Sequence, residues 1–508
     1  MTIRQAPPRR LSELGRAAGL RLHGEDIVVS GLCADSRRVR GGDLFVAVPG
    51  TSQDGARFVD DAVRAGAAAV CASVPADGVP TLVAAEPRAA LADLAAIFYG
   101  HPVREVAIVG VTGSLGKTST ALLTQSCLAG GEMRVGVIGS LGVRARGRVH
   151  DTGMTTPDAL VLQQELRWLA DEGVGFAVME VSSHGILLER VRGVELALGI
   201  FTNLVPDEHL EFHPSPEHYV ATKLRFLDML RPGAPLVFDA DDYRVRDAVR
   251  ARRGLRAAGV TMHAHPDAEI EVADVRHDVA GSDFTLVIRR PLETAGGAAL
   301  PSGAHELRVP LLGRQQVGNA ALAATAALLA GVPVDAVRRG LAAAPPIHRR
   351  MEIVHPAAPL VIDDTVGNPR SIEMVQRTIA LLPHHSVRVA YVLRGSRGPT
   401  INEHNAHAIA DLVRDTGARL VVSSAQDTAD ERNRVTDDEL RAAIDVLSER
   451  TVPMLYTPHL RDAIEHVLGD AGEGDLVLLL GAQGMDEGAV IAREMLGGVG
   501  GRRSEVGG

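Results

Sequence analysis

The sequence predicts an α/β protein of three domains. Apolar, strand-like runs alternate with Ala-rich helical segments along the 508 residues, which is the pattern of α/β units built around parallel sheets. A chain of this length typically folds as about three domains. Two breaks rich in Gly and Pro, at residues 100–102 and 344–346, divide the pattern into three blocks. We therefore expect an N-terminal domain at 1–103, a central domain at 104–343, a C-terminal domain at 344–496 and a disordered tail at 497–508.

The ends of the first two blocks have sequence patterns that predict helices and a strand. An Ala-rich helix at residues 88–99 closes the first block. The second block opens with an apolar strand at 106–109 and closes with helices at 317–330 and 334–341. This block predicts a second parallel sheet.

The third block carries strand candidates at 387–393, 419–423 and 475–480, with helices between them. This alternation predicts a doubly wound, Rossmann-like sheet. No internal repeat of solenoid period is present, which excludes the array architectures.

Charge and cysteine content exclude several classes of function. The net charge is −10 and no long basic run is present, which argues against a nucleic-acid-binding surface. The three cysteines lie far apart beside small or apolar residues, which favours reduced thiols and the cytosol over a disulfide framework or a metal site. The N-terminus lacks the apolar core of a signal peptide, and no run is long enough to cross a membrane. We expect a cytoplasmic protein whose partners are neither nucleic acid nor membrane.

Residues 110–120, GVTGSLGKTST, follow the predicted strand and have the features of a phosphate-binding loop. Gly113 and Gly116 would allow positive φ and aim backbone N–H groups at phosphate oxygens, while the dipole of the following helix favours the same anion. Lys117 would reach the β and γ phosphates, and the hydroxyl of Thr118 a Mg²⁺ ion.

The strict form of this motif has a glycine where the chain has Val111. An ordinary Gly-rich turn between a strand and a helix is therefore the alternative. The order of strand, Gly-Lys-Thr and helix favours nucleotide binding and predicts that the central domain is a parallel sheet of the P-loop ATPase type.

A second constellation is an apolar strand at 176–180 that ends in Glu180 and runs into a Ser-Ser-His-Gly turn. An acid at the carboxyl edge of a phosphate-loop sheet can hold Mg²⁺ beside the phosphates. The alternative is a strand-capping acid that faces solvent. Residues 201–213 also bring acids and imidazoles into one turn, although a surface loop has the same composition.

These residues together resemble the Mur ligases, ATP-dependent amide-forming enzymes of cell-wall peptide synthesis and their relatives. The resemblance spans nearly the whole chain, and its nearest branch is the UDP-N-acetylmuramoyl-tripeptide synthetases, which add the third amino acid. The motifs that carry it beyond the phosphate loop are Asp35-Ser36-Arg37, residues 41–47, Asp54-Gly55, Thr155-Thr156-Pro157-Asp158, residues 179–185 and Thr202-Asn203-Leu204.

The resemblance implies an acceptor-binding N-terminal domain, a central ATPase domain and a C-terminal domain that receives the amino acid. It implies ATP and Mg²⁺ as cofactors and small-molecule substrates, namely a carboxylate acceptor and an amino acid. ATP would phosphorylate the acceptor carboxylate, and an amine would then attack the acyl phosphate to form an amide. By default the acceptor is a UDP-N-acetylmuramoyl dipeptide.

The resemblance also assigns site residues. The catalytic residues would be Lys117, His209 and Lys223. The metal ligands would be Thr118, Glu180, His209 and Lys223 as a carbamate. ATP would contact Gly113, Gly116, Lys117, Thr118, Ser119, Asn319, Arg350 and Asp364. The acceptor would contact Ser36, Thr155, Thr156, Ser182 and Arg190, and the amino acid Arg397, Gln426 and Asp486.

Two of these roles have a plain alternative. Carbamate formation needs a neutral, sheltered amine, whereas the residues alone describe Lys223 as a solvated lysine on a helix. Arg350 is also consistent with a solvated arginine after a linker.

The chain departs from the family pattern mainly at the two substrate ends. The family's Thr-Asn before Gly-Lys is Ser114-Leu115, and its Asp-Tyr-Ala-His has Thr365 and Gly367 in place of the aromatic residue and the histidine. The remaining departures are Thr51-Ser52 for a uracil-contacting His-Gln pair, Leu188 for a glutamine, residues 423–428 for Asp-Asn-Pro-Arg and residues 482–486 for Gly-Lys-Gly-His-Glu.

Three hypotheses stay open. The chain is a divergent tripeptide synthetase, a relative that makes a different amide in a specialised pathway, or a nucleotide-binding regulator without activity. The lost specificity motifs favour the second over the first, and the retained catalytic residues argue against the third. A basic, Gly-rich stretch at residues 394–398 either binds a substrate anion or forms a plain surface turn.

Overall fold

The computed structural model describes residues 7–50, 55–206 and 212–499. The chain divides into two compact units. The first comprises Met1–Val272, Leu286–His305 and Asn319–Leu341, and the second comprises Ala273–Thr285, Glu306–Gly318 and Ala342–Gly508. The boundaries expected near residues 103 and 343 stay predictions. No helix within the described ranges is both long enough and apolar enough to cross a membrane.

The first unit begins with a small sheet of order β2-β7-β6-β5-β4, in which only the β2–β7 pair is antiparallel. Its elements are β1 (Arg9–Arg10), α1 (Leu11–Ala17), β2 (Arg21–His23), β3 (Val28–Val29), β4 (Gly31–Cys33), β5 (Asp43–Val46), α2 (Val59–Arg64), β6 (Ala69–Ala72), β7 (Thr81–Val83) and α3 (Pro87–Phe98). The predicted helix at 88–99 is confirmed as α3. Pro87 occupies its first turn, where a missing N–H costs nothing, and Leu94 and Phe98 pack into the core of the small sheet.

The larger sheet of this unit follows. Its elements between residues 107 and 261 are β8 (Ala107–Thr112), α4 (Lys117–Gly130), β9 (Val135–Gly139), β10 (Gly142–Ala145), β11 (Arg148–His150), α5 (Ala159–Asp171), β12 (Phe176–Glu180), α6 (Ser183–Leu187), β13 (Leu196–Phe201), α7 (Pro216–Leu224), β14 (Pro235–Asp239), α8 (Tyr243–Ala251) and β15 (Arg256–Thr261). The chain continues through β16 (Ile270–Asp278), β17 (Gly281–Ile288), β18 (Leu292–Glu293), β19 (Ala299–Leu300), β20 (Gly303–Val309), α9 (Arg314–Leu329) and α10 (Val334–Ala342). Residues 273–285 and 306–318 of this stretch belong to the second unit. The helices predicted at 317–330 and 334–341 are confirmed as α9 and α10.

In this sheet the strands β8 to β15 lie in the order β11-β10-β9-β12-β8-β13-β14-β15. Along this order, every neighbouring pair between β9 and β15 is parallel. The strands β8, β12 and β13 are almost fully buried, as expected for a parallel sheet covered on both faces. These three strands end side by side, because Glu180 lies opposite Val111 and Phe201 opposite Thr112. The loops that follow them therefore leave the same edge of the sheet together.

The second unit contains a sheet of order β21-β22-β26-β23-β24-β25, in which only β21 is antiparallel. Its elements are β21 (Glu352–His355), β22 (Leu360–Thr365), α11 (Pro369–Ile379), β23 (Ser386–Val392), α12 (Pro399–Thr416), β24 (Arg419–Ser423), α13 (Asp437–Glu449), β25 (Met454–Thr457), α14 (Leu460–Leu468), β26 (Asp475–Gly481) and α15 (Gly488–Val499). Along β26, Leu476 and Leu478 pack into one core cluster and Val477 and Leu479 into another, so helices cover both faces. The predicted Rossmann-like sheet and its three strand candidates are confirmed.

The helix α15 corrects the predicted start of the C-terminal tail. It continues to Val499, three residues into the segment expected to be disordered from residue 497. Met495 and Leu496 pack partly buried against the core of the second unit, which holds the last turns of the helix in place. Residues 500–508 lie outside the described residues.

Candidate active site

The loop between β8 and α4 has the backbone that its glycines predict. Gly113 has φ +145° and Gly116 has φ +82°, both in the region that glycine adopts at low cost. A Cβ at Gly113 would overlap the hydroxyl of Thr202, and one at Gly116 would overlap the side-chain amide of Asn319. Val111 is fully buried within β8, before the chain turns. The glycine that the strict motif has at this position is therefore not needed.

Lys117 is the first residue of α4 and curls back over the loop. Its Nζ donates to the carbonyl oxygens of Gly113, at 2.8 Å, and Ser114, at 3.0 Å. The first amides of α4, which include Lys117 and the buried Ser119, lie at the positive end of the helix dipole. The loop thus combines an ammonium group and a helix N-terminus, the two features that bind phosphate.

Glu180 ends β12 beside the loop and is 1% exposed. Its Oε2 accepts from the hydroxyl of Thr118 at 3.0 Å, and its Oε1 accepts from the backbone amide of Ser140 at 2.9 Å. The hydroxyl of Ser140 in turn lies 2.9 Å from that of Thr155. The alternative that Glu180 caps a strand and faces solvent is wrong. A buried carboxylate and a hydroxyl of the phosphate loop form a cluster of hard oxygen donors, the kind that Mg²⁺ prefers.

Lys223 lies on α7 and is 1% exposed, so the alternative of a solvated lysine is also wrong. Its Nζ donates to the carbonyl oxygen of Gly113 at 2.6 Å, lies 3.5 Å from the hydroxyl of Thr112, and is 5.7 Å from the ring centre of Tyr219. Two lysines, Lys117 and Lys223, therefore approach the same carbonyl oxygen. The structure shelters this amine beside the phosphate loop, although sequence alone gave no sign of its burial.

His209, a predicted catalytic and metal-binding residue, belongs to residues 207–211 and lies outside the described part of the chain. Directly after this stretch, the ring of Phe212 lies 4.0 Å from that of His184. His213 is 1% exposed, and its ring lies 6.0 Å from that of His184. His213, at the end of this turn, is therefore buried beside a histidine of the turn that follows β12.

Sequence reasoning missed two residues of this region. The amide of Ser140 donates to Glu180. The hydroxyl of Tyr219, a fully buried residue, lies 2.8 Å from that of Ser114 in the loop. Tyr219 and Lys223 are four residues apart on α7, a spacing that puts both on one face of the helix. That spacing was the available signal.

Three of the five residues predicted for the acceptor meet directly behind Glu180. The hydroxyl of Thr156 lies 2.9 Å from the carbonyl oxygen of Glu180 and 3.0 Å from the hydroxyl of Ser182. The Nη1 of Arg190 donates to the carbonyl oxygen of Thr156 at 2.9 Å, and its Nε lies 3.0 Å from a carboxylate oxygen of Asp158. Thr155 joins the same region through Ser140.

Ser36, the fifth predicted acceptor residue, lies in the small sheet of the first unit. It opens the 3₁₀ turn Ser36–Arg38 that follows β4. Asp35 caps this turn by accepting from the amide of Arg37 at 3.1 Å. Within the described part of the chain, no hydrogen bond joins the side chain of Ser36 to the other predicted acceptor residues.

In the second unit, Arg349 is 3% exposed and organises the carboxyl edge of the sheet. It donates to Asp363 at 3.1 Å, to the carbonyl oxygens of Gly481 and Ala482 at 2.6 and 2.8 Å, and to the carboxylate of Asp486. Asp486, predicted to bind the amino acid, is thus held by a neighbouring guanidinium. Burial raises the pKa of Asp363 to about 6, against the lowering effect of Arg349.

The two predicted ATP-binding residues of this unit are neighbours of that cluster. Asp364 accepts from the amide of Met351 at 2.8 Å, and Arg350 donates to the carbonyl oxygen of Arg349 at 2.8 Å. Burial raises the pKa of Asp364 to about 6, and the charge of Arg350 acts in the opposite direction.

The stretch at residues 394–398 is already occupied by a carboxylate of the protein. Glu439, which is 2% exposed, accepts from the amides of Ser396 at 3.2 Å, Arg397 at 2.8 Å and Gly398 at 2.8 Å. The expectation that this backbone binds a substrate anion is corrected, because an internal anion fills it. The side chain of Arg397 itself is exposed.

The segment that replaces Asp-Asn-Pro-Arg is built as a structural turn. The amide of the exposed Gln426 donates to the carbonyl oxygen of Pro458 at 2.9 Å, and Asp427 accepts from the amide of Leu460 at 2.7 Å. Asp427 therefore caps the start of α14. The hydroxyl of Thr428 lies 3.4 Å from the carbonyl oxygen of Gly484.

Comparison with known proteins covers almost the whole chain. The family model described as Mur ligase middle domain matches residues 111–327, the model described as Mur ligase, glutamate ligase domain matches 349–483, and the model described as Mur ligase family, catalytic domain matches 28–99. The UDP-N-acetylmuramoyl-L-alanyl-D-glutamate–2,6-diaminopimelate ligase of Rhizobium meliloti is 34% identical over 480 residues, which are 92% of this chain and 91% of that protein. The UDP-N-acetylmuramyl-tripeptide synthetase of Roseiflexus sp. is 32% identical and covers 91% of each chain.

Solved structures share the fold at lower identity. A UDP-N-acetylmuramoyl-L-alanyl-D-glutamate–2,6-diaminopimelate ligase superimposes with a TM-score of 0.65 at 22% identity, over 93% of this chain and 95% of its own. A Mycobacterium tuberculosis folylpolyglutamate synthase, solved with ADP and AMPPCP, gives 0.63 at 18% identity over 80% and 95%. These likenesses establish the three-domain α/β architecture. With the three family models and relatives above 30% identity, they show that the chain belongs to the Mur ligase family of ATP-dependent, ADP-forming ligases.

Proposed function

We propose that this protein is an active ligase that joins an amine to a carboxylate acceptor through an acyl phosphate, with a UDP-N-acetylmuramoyl dipeptide as the default acceptor. The observation that carries the proposal is the cluster around one phosphate loop of three buried residues, Thr118, Glu180 and Lys223, with the half-buried Lys117 beside them. An inactive regulator has no need to keep a carboxylate and a lysine buried at one loop, because burying charged groups costs free energy.

The oxygen donors present fit a magnesium ion. Thr118 and Glu180 would hold it, together with His209 and with Lys223 as a carbamate. Magnesium, when bound, neutralises charge on the transferring phosphoryl group. Lys117 and the first amides of α4 would bind the β and γ phosphates and stabilise the same charge.

The proposed reaction has two steps. An oxygen of the acceptor carboxylate forms a bond to the γ phosphorus of ATP while the bond to the leaving ADP breaks. The amine nitrogen then forms a bond to the acyl carbon, inorganic phosphate leaves, and the amine loses a proton. The cluster of Thr156, Ser182 and Arg190 adjoins Glu180 and is where we place the acceptor carboxylate.

A different amine from that of the named relatives is a second candidate, and one observation favours it. The turn at residues 426–428 uses Asp427 to cap α14, and the stretch 423–428 contains no arginine, which the resemblance implies there. The guanidinium that would grip a carboxylate of the incoming amino acid is thus missing from this turn. This favours an amino acid or amine of different shape or charge.

The test is phosphate release from ATP and Mg²⁺ by the purified protein. The acceptor UDP-N-acetylmuramoyl-Ala-Glu is added alone and then with a panel of amino acids that includes 2,6-diaminopimelate and lysine, and products are identified by mass. An amide product with this acceptor supports the proposal and identifies the amine. ADP binding without turnover for this acceptor would contradict the default acceptor. Turnover with another carboxylate would then support the alternative that the protein makes a different amide in a specialised pathway.

A further inference from the structure

The phosphate loop is held from outside by the residues that follow β13. Asn203 contacts the peptide of Leu115 at both ends: its Oδ1 accepts from the amide of Leu115 at 2.9 Å, and its Nδ2 donates to the carbonyl oxygen of Leu115 at 3.0 Å. The hydroxyl of Thr202 donates to the same carbonyl oxygen at 2.6 Å. Three hydrogen bonds therefore fix one residue of the loop.

The neighbouring loop residues contact the same segment. The amide of Ser114 donates to the carbonyl oxygen of Asn203 at 3.1 Å, and the hydroxyl of Ser114 accepts from the amide of Val205 at 2.9 Å. Gly113 passes so close to Thr202 that only a glycine fits there. Three consecutive residues of the loop, 113 to 115, are thus bound by residues 202–205.

This arrangement follows from the strand register. The last residue of β13, Phe201, pairs with Thr112, the last residue of β8. The two chains leave the sheet together, so residues 202–203 run beside residues 113–115 although about ninety positions separate them in sequence.

We propose that Asn203 is a positioning residue for nucleotide binding, because its two-point clamp on Leu115 fixes the conformation in which the loop accepts phosphate. A phosphate loop acts by aiming successive N–H groups at one anion, and a rotated peptide within the loop would misdirect its neighbours. The clamp uses the N–H and C=O of Leu115, so the amides that follow it are left to point at the anion. The inference rests on the proposed phosphate site.

The clamp also explains why the departure at position 115 is tolerated. Every contact that Asn203 and Thr202 make with this residue goes to its backbone. A leucine side chain at 115 therefore leaves the clamp intact, and the identity of residue 203 matters more than that of residue 115.

The chain supplies a matched control in its second unit. The fully buried Asn402 clamps Arg394 in the same way, accepting from its amide at 3.0 Å and donating to its carbonyl oxygen at 2.8 Å. Replacing either asparagine by alanine removes two hydrogen bonds to the backbone of a partly buried turn. Both variants should lose thermal stability, and only the Asn203 variant should lose nucleotide affinity.

The experiment measures ADP binding to the full chain in the presence of Mg²⁺ by titration calorimetry, which needs no acceptor. Asn203→Ala should weaken ADP binding by about tenfold to a hundredfold, since two net hydrogen bonds are lost from the loop. Asn203→Asp keeps an acceptor for the Leu115 amide but loses the donor and adds a negative charge, so it should bind ADP no better than Asn203→Ala. Asn402→Ala should bind ADP like the wild type.

An Asn203→Ala affinity within about twofold of the wild type, or an equal loss in Asn402→Ala, would overturn the inference. If Asn203→Ala does not fold, Thr202→Val removes one bond to the same carbonyl oxygen and should still weaken ADP binding severalfold. A wild-type protein that binds no ADP would instead refute the proposed function, and this inference with it.

Discussion

Glu180 shows how much of the site one residue organises. Its carboxylate joins the phosphate loop through Thr118 and the end of β9 through Ser140, and a Cβ at Gly139 would overlap it. The acid at the end of an apolar strand was readable in the sequence, and so was its proximity to the loop. Its partner Ser140 was not, because a contact between residues forty positions apart depends on strand order rather than on local pattern.

The substitution Glu180→Gln tests the proposed metal site. The amide keeps the shape and can still accept from Ser140, but it removes the charge that would hold Mg²⁺. We expect ATP turnover at saturating substrate to fall by about a hundredfold. Glu165→Gln is the control, because Glu165 is also buried, with an oxygen 2.8 Å from Nδ1 of His150. Turnover of Glu180→Gln within a few-fold of the control would contradict the assignment.

Lys223 gives a second prediction for a single residue. A carbamate forms reversibly from a neutral amine and dissolved CO₂, so its occupancy depends on bicarbonate. We expect phosphate release to decline in buffer depleted of CO₂ and to recover when bicarbonate is restored. Lys223→Arg cannot form the carbamate, and its lower residual activity should not respond to bicarbonate. Wild-type turnover that is unaffected by CO₂ removal would exclude the carbamate.

Among the elements, the long periodic helices and buried parallel strands were predictable, whereas the strands between residues 270 and 309 were not. The exposure of β16 and β17 alternates along much of their length, which is the signature of strands with one buried face. Their sequences mix charged and apolar residues at period two, and the apolar runs that revealed the parallel strands are absent from them. The burial of Lys223 was equally hidden, because the nine-residue helix α7 is too short for a clear apolar stripe.

Asp239, at the end of β14, should make the free energy of unfolding depend on pH. Burial raises the pKa of Asp239 from 3.8 to about 7, and the nearby carboxylates of Asp241 and Asp242 act in the same direction. The folded state therefore binds a proton that the unfolded state has released between about pH 4 and pH 7. The contribution of Asp239 to the free energy of unfolding should fall as pH rises through this window.

Asp239→Asn should remove this dependence. At pH 8 the variant avoids a buried charge, so its free energy of unfolding should exceed that of the wild type by on the order of 2 kcal/mol. At pH 4 the two proteins should be nearly equal. Thermal unfolding at both pH values checks this, with Asp247→Asn as control, since that side chain is 67% exposed on α8. Equal stability of wild type and Asp239→Asn at pH 8 would count against the prediction.

For the whole molecule, fold class and chemistry follow from the order of a few motifs, while substrate identity does not. The phosphate loop and the acid of β12 lie in the first unit and are placed by strand register, which hydrophobic pattern specifies strongly. The residues expected to read the amino acid, such as Gln426 and Arg397, lie on exposed turns of the second unit. The sequence of an exposed turn can change without disturbing the core. The roles of family residues therefore carry over poorly to these positions.

The carboxylate of Glu439, seated in the amides of Ser396, Arg397 and Gly398, also supports a second element. It is the N3 residue of the capping box of α13 and accepts from the amide of Thr436 at 2.9 Å. One side chain therefore joins the turn before α12 to the first turn of α13. Shortening this acid would release the starts of both helices at once, so two elements about forty residues apart share a single support.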